Sequence, residues 1–242
     1  MRRPNGNMVA ALVLIVILAM IVIYSKEFEG LLYRYFSTKN TTGSRTPLVV
    51  YFGQHIWMVL VSSLIAVGIG VGLGIFATTK SGEEFRDPLL KVVNLGQAFP
   101  SPALLALMVP ILGYGYEGAF IALVVYALMP IVYNVVVGIQ EVPEDVVDAA
   151  VGMGMTPFQL YKKIKIPLAL NVILGGIRTA LVINISATTL AAAVGAGGLG
   201  VLVVNGVRTF DMVLILQGAI PVTIMAVIAE LLLKEAQSRL SF

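Results

Sequence analysis

EVPEDVVDAAVGMGMTPFQLYKKIKIP, residues 141–167, is the one long polar-bearing segment between strongly apolar runs, and its reading decides what the rest of the chain is. The spacing predicts two short helices. Pro143 opens the first, where a missing N–H costs nothing, and Glu144 and Asp145 suit the positive end of the dipole. Gly154 stops it. Thr156 caps the second, Pro157 is its first residue, and Gln159 stands three residues after the cap, while Met155 and Leu160 can close a hydrophobic staple. Pro167 ends this helix; Lys162, Lys163 and Lys165 crowd its last turns, which suits the dipole and marks the cytoplasmic side when membrane helices flank them. The pair presents small residues, Ala149, Ala150 and Gly154, beside one acid, Asp148. On pattern alone, an ordinary amphipathic loop between two membrane helices accounts for it equally well.

Working outward, the composition places the chain in a bilayer: 58% hydrophobic residues, 12% charged and a mean hydropathy of +0.94 lie far from soluble domains. With no cysteine and a single histidine, His55, disulfides and thiolate or histidine-rich metal sites are excluded. Basic residues cluster at helix ends, a topology signal and not a nucleic-acid footprint.

Met8 to Tyr24 predicts a first membrane helix, uncleaved because Tyr24-Ser25-Lys26 is a poor cleavage site. A polar connector from Lys26 to Pro47 follows, with Thr, Asn, Ser and Gly at 37–44 and with Tyr33, Tyr35 and Phe36 expected at the membrane surface. The second helix spans about Tyr51 to Thr79, where Gly68, Gly70, Gly72 and Gly74 admit close helix contact. His55, with no acid near it in sequence, is expected at the interface. The third helix, Pro88 to Leu112, is interrupted at Phe99-Pro100-Ser101-Pro102; freed carbonyls are tolerated in a bilayer only inside protein or beside water, so a pathway wall and a packing kink both fit. Asn94, Gln97, Pro100 and Ser101 are the pathway candidates there.

A turn over Gly113–Gly118 leads to a fourth helix, Ala119 to Ile139, with Asn134 as a further candidate. A fifth, Leu168 to Val194, carries Arg178, expected to snorkel to the cytoplasmic interface, and a deeper uncharged group, Asn184, Ser186, Thr188 and Thr189. The run 195–200, with Gly195, Gly197 and Gly198 as candidates, should bend or pack closely, since each glycine weakens a helix by roughly 1 kcal/mol. It is not a phosphate loop, because no Gly-Lys-Ser/Thr follows. The last helix, Met212 to Leu233, ends near Lys234 and Arg239. With residues 141–167 inside, Arg2, Arg3, Lys80, Arg86 and Lys91 join the inner side, while Lys26, Arg34, Lys39, Arg45 and Arg208 fall outside. The bias predicts about six crossings with both termini cytoplasmic.

The order Asp148-Ala149-Ala150, three residues, Gly154, nine residues, Ile164, one residue, Ile166-Pro167 resembles the EAA loop of ABC-importer permeases. Asp148 stands where that family usually has Glu and Ile166 where it has Leu; both keep the chemical type. Phe99–Leu107, Gly152–Thr156, Pro167–Leu170, Gly175–Thr179, Gly195–Gly200 and Gly218–Val222 look like the branch importing glycine betaine, carnitine or choline.

The resemblance implies an all-α polytopic membrane protein of about six helices with the type I importer, methionine-permease-like fold. It divides into an N-terminal helix and connector at 1–50 and a permease core at 51–242. It further implies coupling to an ATPase subunit through Glu144, Asp148, Ala149, Ala150, Gly154, Met155 and Thr156. ATP and Mg belong to that separate ATPase, with no cofactor on this chain. The remaining implied partners are an extracytoplasmic substrate-binding protein and a second permease copy, identical or paralogous, in the cytoplasmic (inner) membrane. An aromatic cage for the ammonium is expected on the binding protein, leaving Tyr114, Tyr116, Tyr126 and Tyr133 to packing. A methionine or other small-solute permease stays open within the class. A secondary transporter, which would normally show intramembrane acids or a repeated half, stays open outside it.

Overall fold

The structure, a computed structural model, describes residues 6–36 and 46–240, and the regular elements among them are all helical. They are α1 (Gly6–Ile23), α2 (Ser25–Tyr35), α3 (Leu48–Thr78), α4 (Glu83–Ala98), α5 (Ser101–Leu112), α6 (Tyr116–Gln140), α7 (Glu144–Gly152), α8 (Pro157–Leu160), α9 (Ile166–Ala191), α10 (Gly200–Thr209) and α11 (Met212–Leu240). Five spans are long and apolar enough to cross a bilayer: α1, α3, α6, α11 and the run Pro157–Val194 that carries α8 and α9. The α4–α5 pair, bent by 102°, makes a sixth if taken together.

Helix α6 is the centre of the bundle, packed between α3 and α9. Lipid tails are as apolar as leucine, so helices in a bilayer associate through close packing and polar contacts. Gly70 and Gly74, one turn apart on α3, lie against Ile131 and Val135 of α6, and Gly176 of α9 lies against Asn134. The sequence offered four glycines on α3; Gly68 and Gly72 face open space. Ala66, Ala127, Ile131, Val135 and Ile173 fill the layer between the three helices.

Contacts between chain ends define two poles. The Tyr161 hydroxyl donates to the Thr78 carbonyl at the end of α3 (2.5 Å), Gln237 Nε2 donates to the Asn171 carbonyl, and the Arg239 guanidinium reaches Met8. The α7–α8 pair, the N-terminal end of α1 and the C-terminal end of α11 therefore share one pole. The ends of α1 and α9 and the beginnings of α3, α6 and α11 meet at the other.

Several expectations are corrected. The connector after α1 carries a helix, α2, whose Phe28, Leu32 and Tyr35 recur at helical spacing, with Leu32 buried; residues 37–45, like Arg2 and Arg3, lie outside the described residues. Pro167 does not end the second coupling helix. Residues Tyr161–Lys165 form a π-helical turn in which the Ile166 N–H reaches the Tyr161 carbonyl five residues back. The widened turn brings Pro167 in at the start of α9, so α8 and α9 run on as one rod. Residues 200–209, unassigned from sequence, form α10, folded back along α11 with Gly206 and Gly218 at the contact. His55 is fully buried, not interfacial, and its Nε2–H donates to the Ile185 carbonyl (3.2 Å). Arg178, expected to snorkel, is partly exposed and pairs across helices with Glu230 (3.5 Å), a partner the sequence reading did not name.

Candidate functional site

The facing ends of the coupling pair are locked by local geometry. Pro143 stands just before α7 as its cap, with Glu144 and Asp145 in the first turn. Gly154 adopts φ +79°, and two bonds close a Schellman end: Met155 N–H to the Ala150 carbonyl (3.2 Å) and Gly154 N–H to Val151 (2.9 Å). Thr156 and Gln159 form the reciprocal capping box, the Thr156 N–H donating to Gln159 Oε1 (2.9 Å) and the Gln159 N–H to Thr156 Oγ1 (3.3 Å).

The packed side and the open side of this device are distinct. Ala150 is 1% exposed and lies on the packed side of α7, away from the side on which the sequence pattern presents it. Glu144, Asp148, Ala149, Gly154 and Thr156 are exposed, and Met155 is half-buried. Around them Val151, Met153 and Phe158 stand out, the last 73% exposed. The result is an apolar patch edged by carboxylates, with Lys162 Nζ over the Phe158 ring at 5.8 Å and Lys165 Nζ over Tyr161 at 5.0 Å.

The pathway candidates separate into two groups. Asn184 is buried and its Nδ2 donates to Ser62 Oγ and Ser63 Oγ, both at 2.8 Å, tying α9 to α3; Thr188 donates to the Asn184 carbonyl (2.8 Å). These two are helix glue in this arrangement. Asn134 donates to the Pro130 carbonyl one turn back (2.7 Å), and the Thr189 hydroxyl is buried without a partner. By contrast Asn94, Gln97 and Ser186 are exposed. Gln97 lines a small cavity with Tyr126, Pro130 and Ile183. Ile183 and Ser186 lie one turn apart on one face of α9, so this side of the bundle carries the accessible polar groups. Pro100 and Ser101 form the elbow between α4 and α5.

Gly195, Gly197 and Gly198 all take positive φ, so the run bends sharply as expected. Its anchor was not anticipated: Gln54 Oε1 accepts from the Gly198 N–H (3.0 Å), and a Cβ on Gly198 would meet His55 at 3.3 Å. The signal was weak, since Gln54-His55 reads as an isolated polar pair at the start of an apolar helix. No cluster of potential metal ligands occurs among the described residues.

An all-helical apolar bundle with a bent span and an exposed, doubly capped helix pair at one pole has the anatomy of a membrane transport subunit. The chain belongs to the family described as binding-protein-dependent transport system inner membrane component, matched over residues 70–240. It is 39% identical over 194 residues to the carnitine transport permease protein OpuCB of Listeria monocytogenes, covering 80% of this chain and 88% of that one. It is 37% identical to the osmoprotectant import permease protein OsmW of Salmonella typhimurium, covering 76% and 87%. It is 35% identical to the choline transport system permease protein OpuBB of Bacillus subtilis, covering 78% and 86%. Among solved structures, a chain of the inward-facing MetNI methionine ABC transporter superposes with a TM-score of 0.73 at 22% identity, over 81% of this chain and 96% of that chain. The type I importer fold is thereby shown. The chain is a transport permease subunit, not an enzyme.

Proposed function

We propose that this chain is the membrane-spanning half of an ATP-driven importer for osmoprotectants such as glycine betaine, carnitine or choline. A second permease copy completes the pathway, an extracytoplasmic binding protein delivers solute, and a separate ATPase carrying ATP and Mg drives the cycle. The pole bearing α7 and α8 faces the cytoplasm, with both termini there.

One observation carries the reading: the turn between α7 and α8 is closed by a Schellman end and a capping box, and α8 runs on into α9, yet Asp148, Ala149, Met153 and Phe158 stay exposed. A surface immobilised without being covered suits a partner that pushes on it. Identity of 35–39% to permeases named for carnitine, osmoprotectants and choline supports the solute class.

The test is uptake of labelled glycine betaine into proteoliposomes holding the full complex. ATP-dependent uptake that Ala149→Trp abolishes is expected, since that side chain is exposed and the bulk falls outside the fold. Uptake driven by an ion gradient without ATP would overturn the importer reading, and undiminished coupling in Ala149→Trp would overturn the docking assignment.

A further inference from the structure

Thr78 ends α3, so its carbonyl is one of the last four in that helix and has no partner along its own backbone. In a membrane bundle such a group needs a donor from elsewhere. The donor comes from 83 residues further on: the Tyr161 hydroxyl bonds to that carbonyl at 2.5 Å, with Thr78 Oγ1 3.3 Å away. The Thr78 hydroxyl is itself engaged, donating to the Ile75 carbonyl (2.8 Å).

Tyr161 is held on all sides for this contact. Its ring packs against the buried layer that contains Val135, Ile139 and Ala169, and Lys165 Nζ stands 5.0 Å from the ring centroid. Tyr161 also opens the π-helical turn Tyr161–Lys165. A π turn carries one residue more than an α turn, so it rotates α8 and Tyr161 by about 100° relative to α9. That rotation sets the direction of the hydroxyl without disturbing the face α9 presents to the bundle. Phe158, one turn before Tyr161, is 73% exposed in the apolar patch. A load on the patch therefore lies one helical turn from the bond to α3.

Elsewhere α3 is joined to α9 and the glycine bend through Asn184 to Ser62 and Ser63, through His55 to Ile185 and through Gln54 to Gly198. Gln54 lies about 36 Å from Thr78 along α3. Tyr161 adds the polar tie at the end nearest the patch.

We infer that Tyr161 is a positioning residue for transport: its hydroxyl yokes the end of α3 to α8, so that the two move as one when the coupling pair is displaced. The inference rests on the importer reading and adds to it a residue outside the exposed patch, which delivers the displacement to α3 as well as along α9.

The experiment uses the assembled permease–ATPase complex in proteoliposomes with its binding protein, and measures ATP hydrolysed per glycine betaine imported. Tyr161→Phe keeps the ring and removes the donor; Thr78→Val removes the hydroxyl and leaves the carbonyl. Tyr161→Phe should raise ATP consumed per solute about three- to tenfold, the range that one hydrogen bond of ordinary net strength governs, with the KM for ATP and recovery of the ATPase in the complex unchanged. Thr78→Val should match the wild type. An unaltered ratio in Tyr161→Phe overturns the yoke, as does an equal rise in Thr78→Val. The chain has no cysteine, so spin labels on Lys80→Cys and Lys163→Cys, both exposed, report the separation of the two elements directly. That separation should be the same in nucleotide-free and ATP-trapped complexes and should broaden in Tyr161→Phe; a change of about 5 Å, one helical turn, between the two states of the otherwise native chain overturns the yoke. Absence of ATP-dependent uptake by the wild type would overturn the importer reading and this assignment with it, whereas a wild type that imports beside an unaltered Tyr161→Phe removes the assignment alone.

Discussion

Gly74 gives the sharpest test of how the bundle is held together. A Cβ built there lies 2.6 Å from both Cβ and Cγ1 of Val135, against an optimal carbon–carbon separation of about 3.5–4.0 Å. Alanine therefore demands about 1 Å of separation between α3 and α6, and overpacking of this kind costs about 1–3 kcal/mol. Gly72, half a turn away on the same helix, has nothing within 4 Å, so alanine there meets no obstacle and gains up to about 1 kcal/mol of helix propensity. The two variants should differ by about 2–4 kcal/mol despite identical chemistry. Val135→Gly removes both clashing atoms and leaves the Val132 carbonyl, at 3.3 Å, as the nearest group. Val135→Gly is itself costly, because it empties a buried site and puts glycine in a helix, but the double variant should lose less than the two single losses together, a favourable coupling of about 1–2 kcal/mol in the double-mutant cycle. The assay is equilibrium unfolding in mixed micelles, followed by the fluorescence of Trp57, the single tryptophan. Equal midpoints for Gly74→Ala and Gly72→Ala, or purely additive losses for Gly74→Ala and Val135→Gly, would refute packing at this crossing as the source of stability.

Three further outcomes follow from particular contacts. Asn184→Ala removes both bonds to Ser62 and Ser63 and should cost about 1–3 kcal/mol in the same unfolding assay, at membrane values near 0.6 and up to about 1.7 kcal/mol per bond. Thr156→Ala breaks the capping box and should cost about 1 kcal/mol locally, read as faster amide exchange across residues 156–160 with little change in the transmembrane helices. Tyr33 has a folded pKa raised above its unfolded value of 10.0, so its contribution to stability is complete below that pH and is lost as pH rises through the folded value. Alkaline unfolding of the wild type relative to Tyr33→Phe should show that extra loss above pH 10 and none below it.

The coupling segment was legible in sequence because its signals are local. Thr156, Pro157 and Gln159 specify a cap irrespective of what surrounds them, and Gly154 specifies a left-handed residue. The apolar spans were legible for the same reason. What escaped depended on tertiary partners. Pro167 reads as a stop until a π turn absorbs it, and nothing in YKKIKIP announces that turn. His55 reads as interfacial until the Ile185 carbonyl and Gly198 are seen beside it. Asn184 and Thr188 have the polarity of pathway residues, but their direction toward α3 is fixed by the rotation of α9, which periodicity does not determine in a helix apolar on most sides. Helix α2 was obscured by its mixed composition, since its apolar face is narrow and its cover comes from α1 and α11.

The fusion of α8 with α9 through the π turn has a mechanical consequence. Residues 157–194 form one 38-residue element, about 57 Å long at 1.5 Å per residue, with Phe158 at one tip and the glycine bend at the other. No slack joint separates the tips, so rotating the element by about 10° about one end displaces the other by about 10 Å on that length. A tilt of the element at the Phe158 tip would therefore be felt at its far end, against the bonds from Asn184 and Ile185 to α3 and, just past the bend, the one between Gly198 and Gln54.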